Sequence, residues 1–293
     1  MNFNSKKLKY LFFSLRPKHW AKNLFIFLPI IFGRKFLSFI IISKSFFAFL
    51  IFSLGASSIY LLNDILDLKE DKLNPLKRLR PIASGRINLN LVKTTIPILS
   101  ILSIVLAAFL DIYFSIILSI YILFNILYSR YFKKIVIIDV FCLSFFFLLR
   151  ILAGCSIAKV KPSPWIIIMT ILLALFLGLN KRRQELRILR EKALLQRSVL
   201  KKYNLYFIDQ LLNVITPSIV ITYILYLIEI AKDIKNEYII YTTIFVYYGI
   251  FRYLYLIHQI RFDGDPIRIL WRDKILQLDI ILWLLTFIIV LYF

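Results

Sequence analysis

Long apolar runs, each closed by charged residues or proline, recur from one end of the chain to the other. Set against the roughly 20 residues that cross a hydrocarbon core, they predict nine spans, near residues 22–42, 45–66, 94–110, 112–129, 135–156, 164–180, 211–231, 237–258 and 275–292. The first is the least regular. Gly33-Arg34-Lys35 interrupts it, which predicts a helix ending near Phe32 with a short or reentrant piece after it. The expected fold class is all-α: a polytopic membrane bundle of nine transmembrane helices forming one domain over residues 1–293.

Composition narrows the choice further. The chain is 60% hydrophobic and 16% aromatic, with a mean hydropathy of +0.80, whereas soluble domains hold roughly 45–50% apolar residues. A soluble fold is excluded, and lipid is the expected solvent for much of the surface. Cys142 and Cys155 stand thirteen residues apart on one apolar segment, about 20 Å along a helix, which rules out a disulfide between them. The first apolar stretch follows Arg16-Pro17-Lys18-His19-Trp20 and precedes further spans, a pattern expected of a retained anchor rather than a cleaved signal.

The formal charge of +22 is distributed unevenly. About 30 of the 38 lysines and arginines fall in the N-terminus and in alternate loops, while the opposite side holds only Arg34, Lys35, Lys44, Lys159, Lys161, Lys232 and Lys235. Basic loops resist translocation, so the N-terminus is expected in the cytoplasm, and an odd number of spans then puts Phe293 outside. Topology explains much of the charge, and no recognition module accompanies it, so neither DNA nor RNA is an expected partner. A bacterial cytoplasmic membrane is the expected location, with membrane lipids as partners; a homo-oligomer is left open. Two cytoplasmic loops, 67–93 and 181–210, exceed what a connection requires and are expected to cap a site. The second is an amphipathic basic helix from Lys181 to Lys202, suited either to anionic lipid or to a substrate.

The densest chemistry lies in Asn63-Asp64-Ile65-Leu66-Asp67-Leu68-Lys69-Glu70-Asp71 at the end of the second span. On one helix Asn63, Asp67 and Asp71 recur every four residues and Asp64 precedes Asp67 by three, so all four crowd one face. Three carboxylates so placed need a cation, and hard oxygen ligands suit Mg²⁺ shared with substrate phosphates. The bland alternative is an exposed helix end compensated by Lys69 and Lys72. Downstream, Lys77-Arg78-Leu79-Arg80-Pro81-Ile82-Ala83-Ser84-Gly85-Arg86 offers guanidinium forks that match phosphate oxygens, beside a glycine that lets backbone approach a ligand. Asp139 and Arg150, eleven apart, fall within about 20° on a helix, so both should face the bundle interior. Asp139 is near enough to the cytoplasmic side to join a site there; Arg150 lies about 16 Å deeper, as a structural partner or snorkelling outward. Tyr128, Ser129 and Lys133 flank the same boundary, where tyrosine is usually an interfacial belt residue.

Asn63, Asp64, Asp67, Asp71, Arg80, Pro81 and Gly85 together resemble the UbiA superfamily of intramembrane prenyltransferases, whose first motif is N-D-x-x-D-x-x-x-D followed by R-P-x-x-x-G. The resemblance implies a nine-helix bundle in which Asp64, Asp67 and Asp71 hold Mg²⁺ on a diphosphate and Asn63 orients them. Aromatic-acceptor members carry a second acidic motif, Y-x-x-x-D-x-x-x-D, after the sixth span. Here that place is Gly178-Leu179-Asn180-Lys181-Arg182-Arg183-Gln184-Glu185-Leu186, with basic residues instead. That substitution resembles the polyprenyl-phosphate phosphoribosyltransferase branch, as do Arg16 through Asn23, Asp139-Val140, Leu149-Arg150, Ala153-Gly154, and Gly264-Asp265-Pro266 with Arg272-Asp273. The branch implies phosphoribosyl diphosphate as donor and a polyprenyl phosphate lipid as acceptor. Lys18, Lys22, Asn23, Arg80, Tyr128, Lys133, Asp139, Lys181, Arg182, Arg183 and Glu185 are then the expected substrate contacts. Two phosphorylated substrates bring more negative charge than one, which makes the surplus of cations reasonable. An aromatic prenyltransferase using a prenyl diphosphate is the first alternative, and the absent second acidic motif argues against it. A lipid transporter or scaffold, which needs no Mg²⁺, is the second.

Overall fold

The computed structural model describes residues 3–74, 77–189, 198–259, 269 and 272–292. Pro75, the middle of the Lys181–Lys202 stretch and Gly264-Asp265-Pro266 lie outside the described residues. The regular secondary structure among the described residues is all helical, and eight of its helices are long and apolar enough to cross a membrane. In chain order the α-helices are α1 (Phe3–Ser14), α2 (Leu28–Phe32), α3 (Phe39–Leu66), α4 (Leu68–Leu73), α5 (Leu89–Leu110), α6 (Ile112–Arg130), α7 (Ile138–Ala158), α8 (Pro164–Leu189), α9 (Leu205–Ile234), α10 (Thr243–Gln259) and α11 (Lys274–Tyr292). A 3₁₀ stretch, Glu237–Thr242, runs directly into α10, so the two form the span Glu237–His258.

The run predicted as the first span is not one helix. Pro17 opens a 3₁₀ helix over Pro17–Phe27 and Pro29 falls in the first turn of α2, places where a missing N–H is tolerated. Gly33 then closes α2, Arg34 takes a left-handed φ of 52°, and α3 begins at Phe39, absorbing the last residues of the predicted span. The other eight predicted spans each coincide with a membrane-length helix.

Two compact units divide the chain: Met1–Cys142 with Phe146–Pro162, and Leu143–Phe145 with Ser163–Phe293. In the first, α3 is the central element. It buries Ser45, Ala48, Ser53, Gly55, Ala56, Ser57 and Ser58, a series of small side chains that lets neighbours approach closely where lipid offers no hydrophobic drive. A Cβ on Gly55 would lie 2.9 Å from Leu118 Cδ1 of α6 and 3.1 Å from Ser103 Oγ of α5. Ser100 donates to Ser58 at 2.9 Å, tying α5 to α3. α7 packs on the irregular segment in the same way: a Cβ at Gly154 would sit 2.2 Å from the Ile26 carbonyl oxygen and 3.0 Å from Pro29 Cγ.

Inside this unit Arg150 is 3% exposed and points inward rather than snorkelling. It donates from Nε to Asn23 Oδ1 at 2.8 Å, from Nη1 to the Phe146 carbonyl at 2.6 Å and from Nη2 to Tyr121 Oη at 3.0 Å. The rings of Phe52, Tyr121 and Phe147 surround its guanidinium at 4.9–5.5 Å. Every face of the cation is met by a dipole or a π-cloud, which is what a charge at membrane depth requires.

Asp111, alone between α5 and α6, caps α6 by accepting from the Phe114 N–H at 2.9 Å and also receives Ser156 and Lys159 from the end of α7. In the second unit Asn204 caps α9 by accepting from the Phe207 N–H at 2.6 Å. The α9–α11 contact is held by Trp283, which donates to Tyr223 Oη at 2.7 Å.

Two outcomes follow from these contacts. Gly154→Ala has no room for its methyl against backbone and is expected to destabilise the protein by about 1–3 kcal/mol, seen as a lower melting temperature in detergent. For Asp111, burial raises the carboxyl pKa, but the hydrogen bonds from Lys159, Ser156 and Phe114 outweigh it and hold the group below its usual value. A depressed folded pKa gives stability that is present above the unfolded value of about 3.9 and is lost as pH falls through the folded one. The wild type should therefore lose melting temperature more steeply below about pH 4 than Asp111→Asn, in melting curves recorded across pH.

Candidate functional site

The aspartate-rich stretch does not form one helix. α3 ends at Leu66, Asp67 takes φ −93° and ψ 11° at the junction, and α4 begins at Leu68. Asn63 and Asp64 close the last turn of α3, while Asp71 belongs to α4 and is reached through its N–H to the Asp67 carbonyl at 2.8 Å. The four side chains consequently divide among three sets of partners: Asp64 and Asp71 share Arg80, Asp67 takes Lys133 and Asn63 takes Ser129.

Asp64 and Asp71 are buried, at 3% and 1% exposure, and share one cation. Arg80 Nη1 lies 3.2 Å from Asp64 Oδ1 and 2.5 Å from Asp71 Oδ2, which puts the two oxygens within about 6 Å of each other. Arg16 pairs with the same oxygen of Asp64, and Lys77 Nζ stands 3.9 Å from Asp71 Oδ1. Asp67 is set apart, 35% exposed and paired with Lys133 Nζ at 2.6 Å. Asn63 Oδ1 accepts from the Ser129 hydroxyl of α6.

The turn that delivers Arg80 is built to be rigid. Ile82, Ala83 and Ile87 are buried, and Ile82 and Ile87 join Leu61 of α3 and Val92 of α5 in one apolar cluster. Ser84 N–H reaches the Arg80 carbonyl at 2.9 Å and Arg86 N–H the Pro81 carbonyl at 3.0 Å. Gly85 sits between them at φ 72°, a conformation that disfavours any side chain, with nothing within 4 Å of where a Cβ would stand. Arg16 is also constrained. It takes φ 55° and ψ 59° ahead of Pro17 and lies over the Tyr60 ring at 5.5 Å, so its ion pair offsets a left-handed backbone.

Other expected site residues fall as follows. Lys18 is exposed and Lys22 half-buried on the Pro17–Phe27 segment. Asn23 is fully buried, accepting from Arg150 and donating to Ser53 Oγ at 2.9 Å, so both ends of its carboxamide are engaged within the core. Tyr128 is buried with its ring edge-on to Phe146, and Asp139 is fully buried in the first turn of α7. In the second unit, α8 carries Lys181, half-buried, and Arg182, 1% exposed, with Arg182 Nη1 2.7 Å from Glu185 Oε2. Arg183 Nε donates to Asp209 Oδ1 of α9 at 2.5 Å. The expected sites omitted Arg16, Lys77, Ser129 and Asp209. Arg16 and Lys77 lie within stretches already conspicuous for basic residues, whereas nothing in the sequence near Asp209 marks it out as a partner for Arg183.

Mg²⁺ is commonly held by one or two carboxylates and completed by substrate phosphates. Asp64 and Asp71 fit that role, as two hard oxygen donors already arranged around a common cationic position. No group of three or more His, Cys, Asp or Glu side chains placed to hold a metal occurs among the described residues, so Asp67 does not complete a three-carboxylate cage.

Arg80→Ala should leave Asp71 and Asp64 buried with weaker compensation and cost about 3 kcal/mol of stability. Replacing Arg80 and Asp71 together by apolar residues is expected to recover part of that loss, in melting curves taken without substrate.

Comparison with known proteins adds a family. The model of the UbiA prenyltransferase family matches residues 27–271. The decaprenyl-phosphate phosphoribosyltransferase of Mycobacterium tuberculosis (strain ATCC 25618 / H37Rv) is 27% identical over 277 residues, 93% of this chain and 91% of that one. The protein of the same name from Corynebacterium glutamicum is 27% identical over 285 residues, 95% and 86% of the two chains. Among solved structures, a UbiA homolog from Archaeoglobus fulgidus bound to DMAPP and Mg²⁺ superposes with a TM-score of 0.67 at 19% identity, covering 94% of this chain and 97% of that one. A digeranylgeranylglyceryl phosphate synthase structure gives 0.65 at 22% identity, covering 97% and 98%. The chain belongs to the UbiA prenyltransferase family and is a multi-pass membrane transferase of that family.

Proposed function

We propose that this chain transfers the 5-phosphoribosyl group from phosphoribosyl diphosphate to a polyprenyl phosphate, releasing diphosphate, at the cytoplasmic face of a bacterial cytoplasmic membrane. The observation that carries the reading is the buried Asp64–Arg80–Asp71 arrangement, in which acids able to hold a divalent ion adjoin cations able to hold phosphate. The choice of substrates draws on relatives of similar length named decaprenyl-phosphate phosphoribosyltransferase.

Asp64 and Asp71 would hold Mg²⁺, with Asp67 contributing once Lys133 yields it to the substrate. When bound there, the ion supplies Lewis-acid stabilisation of the departing diphosphate. Arg16, Arg80 and Lys133, already at hydrogen-bonding distance from these carboxylates, are the side chains placed to take up phosphate oxygens as charge builds on the leaving group. Asn63, held by Ser129, fixes the end of α3 that presents Asp64. The acceptor's phosphate is anionic at neutral pH and attacks the anomeric carbon as the bond to diphosphate breaks, so inversion is expected and no general base is required. Lys181, Arg182, Arg183 and Glu185 in the second unit are proposed substrate contacts in place of a second acidic motif. Its isoprenoid tail accounts for building such an enzyme inside a membrane.

Purified protein with labelled phosphoribosyl diphosphate, Mg²⁺ and a panel of polyprenyl phosphates should form a labelled lipid, and chelation should stop it. Asp64→Asn and Asp71→Asn are expected to lower kcat/KM by at least about a hundredfold, the several kcal/mol a catalytic metal contributes. Transfer from a prenyl diphosphate to an aromatic acceptor, with none from phosphoribosyl diphosphate, would refute the reading.

A further inference from the structure

The guanidinium of Arg16 has two partners on α3. It pairs with Asp64, and its Cζ lies 5.5 Å from the centre of the Tyr60 ring. Tyr60 and Asp64 stand four residues apart on that helix and so share one face, a single turn from each other. Asp64 is the one acid that Arg16 pairs with among the described residues.

The backbone around Arg16 is fastened to α3 separately. Trp20 donates from Nε1 to Ser57 Oγ at 3.0 Å, and Ser57 Oγ reaches the Leu15 carbonyl at 3.0 Å. His19 also rests against Tyr60, with 5.5 Å between ring centres. Residues on both sides of Arg16 are thus tied down without using its guanidinium. Placing the charged end is left to Asp64 and Tyr60.

These two partners act differently. Asp64 engages an N–H of the guanidinium, and it is also an acid that fits Mg²⁺. Once its oxygens turn to a divalent ion, it no longer holds the arginine. An aromatic ring attracts the same cation through its quadrupole and takes up none of the five N–H donors, which stay available for other acceptors. The Arg16 side chain is 20% exposed, so a guanidinium released by Asp64 has water within reach. An aliphatic side chain in place of Tyr60 would give it no reason to remain.

We propose that Tyr60 is a positioning residue for the diphosphate of the donor: its ring keeps the Arg16 guanidinium in the site when Asp64 turns to the metal, with N–H groups free for phosphate oxygens. The proposal rests on the metal and diphosphate roles in the reading above. It adds to them a residue that acts through Arg16 alone.

The test is heat protection of the purified full-length protein by inorganic diphosphate with Mg²⁺. Tyr60→Leu should need about fivefold more diphosphate than the wild type for the same rise in melting temperature, the effect of one partly exposed cation–π contact. Tyr60→Phe keeps the ring and should respond within about twofold of the wild type. In an Arg16→Met background, Tyr60→Leu should cause no further loss, because the ring then has no cation to hold. Tyr60→Met is a second replacement of the same design if the leucine variant does not fold. Wild-type affinity in Tyr60→Leu, or a Tyr60→Phe variant as weak as the leucine one, overturns the proposal. So does a loss of equal size with and without Arg16, which is what a ring that merely packs would give. Transfer from labelled phosphoribosyl diphosphate separates this outcome from the reading it rests on. Transfer by a protein whose diphosphate affinity ignores Tyr60 sinks the positioning role alone; affinity that depends on Tyr60, without transfer to any polyprenyl phosphate, sinks the proposed reaction and leaves that role standing.

Discussion

Two carboxylates a few ångströms apart at the end of α3 and in α4, both almost wholly buried, set the terms for everything around them. Ionised, they repel each other and lack the water that would screen them; the structure meets this with a single guanidinium, Arg80, donating to both. Holding Arg80 in that position requires the turn from Arg80 to Arg86, with its positive-φ Gly85 and its two isoleucine anchors packed on α3 and α5. Holding Asp64 there requires the end of α3, and that helix keeps its place through small side chains facing α5 and α6. Arg16 completes the compensation from the opposite direction, at the expense of a left-handed backbone.

The same balance governs Arg150 deeper in the first unit, but by a different solution. No acid serves it among the described residues; carbonyl, amide and phenol oxygens and three aromatic faces do. Such a cation is costly to bury and cannot be relocated without unmaking the contacts of α6, α7 and the Pro17–Phe27 segment together. Asn23 illustrates the consequence: its position in a basic, polar stretch suggests a substrate contact, yet both ends of its carboxamide serve the core.

The second unit presents the contrasting case, where polar groups are buried without full satisfaction. Arg182 and Arg183 have acidic partners in Glu185 and Asp209, while the neighbouring carboxamides keep spare acceptors.

Eight membrane helices and their approximate ends are legible in the sequence, because hydrocarbon thickness and the exclusion of charge from it act on each segment by itself. Gly85 and Gly154 stand out in the sequence, but only the structure separates their reasons: a backbone angle in one, a carbonyl oxygen with no room for a methyl in the other. The break at Asp67 is invisible to periodicity, since Asn63, Asp67 and Asp71 keep helical spacing across a junction where the helix stops. The fragmentation of residues 17–38 follows from prolines whose effect depends on what packs against them. Above all, spacing names three equivalent aspartates, whereas tertiary structure sorts them into a buried pair on Arg80 and a half-buried one on Lys133. Ion-pair partners come from residues far apart in the chain, and no local pattern encodes which cation a folded chain will bring to which acid.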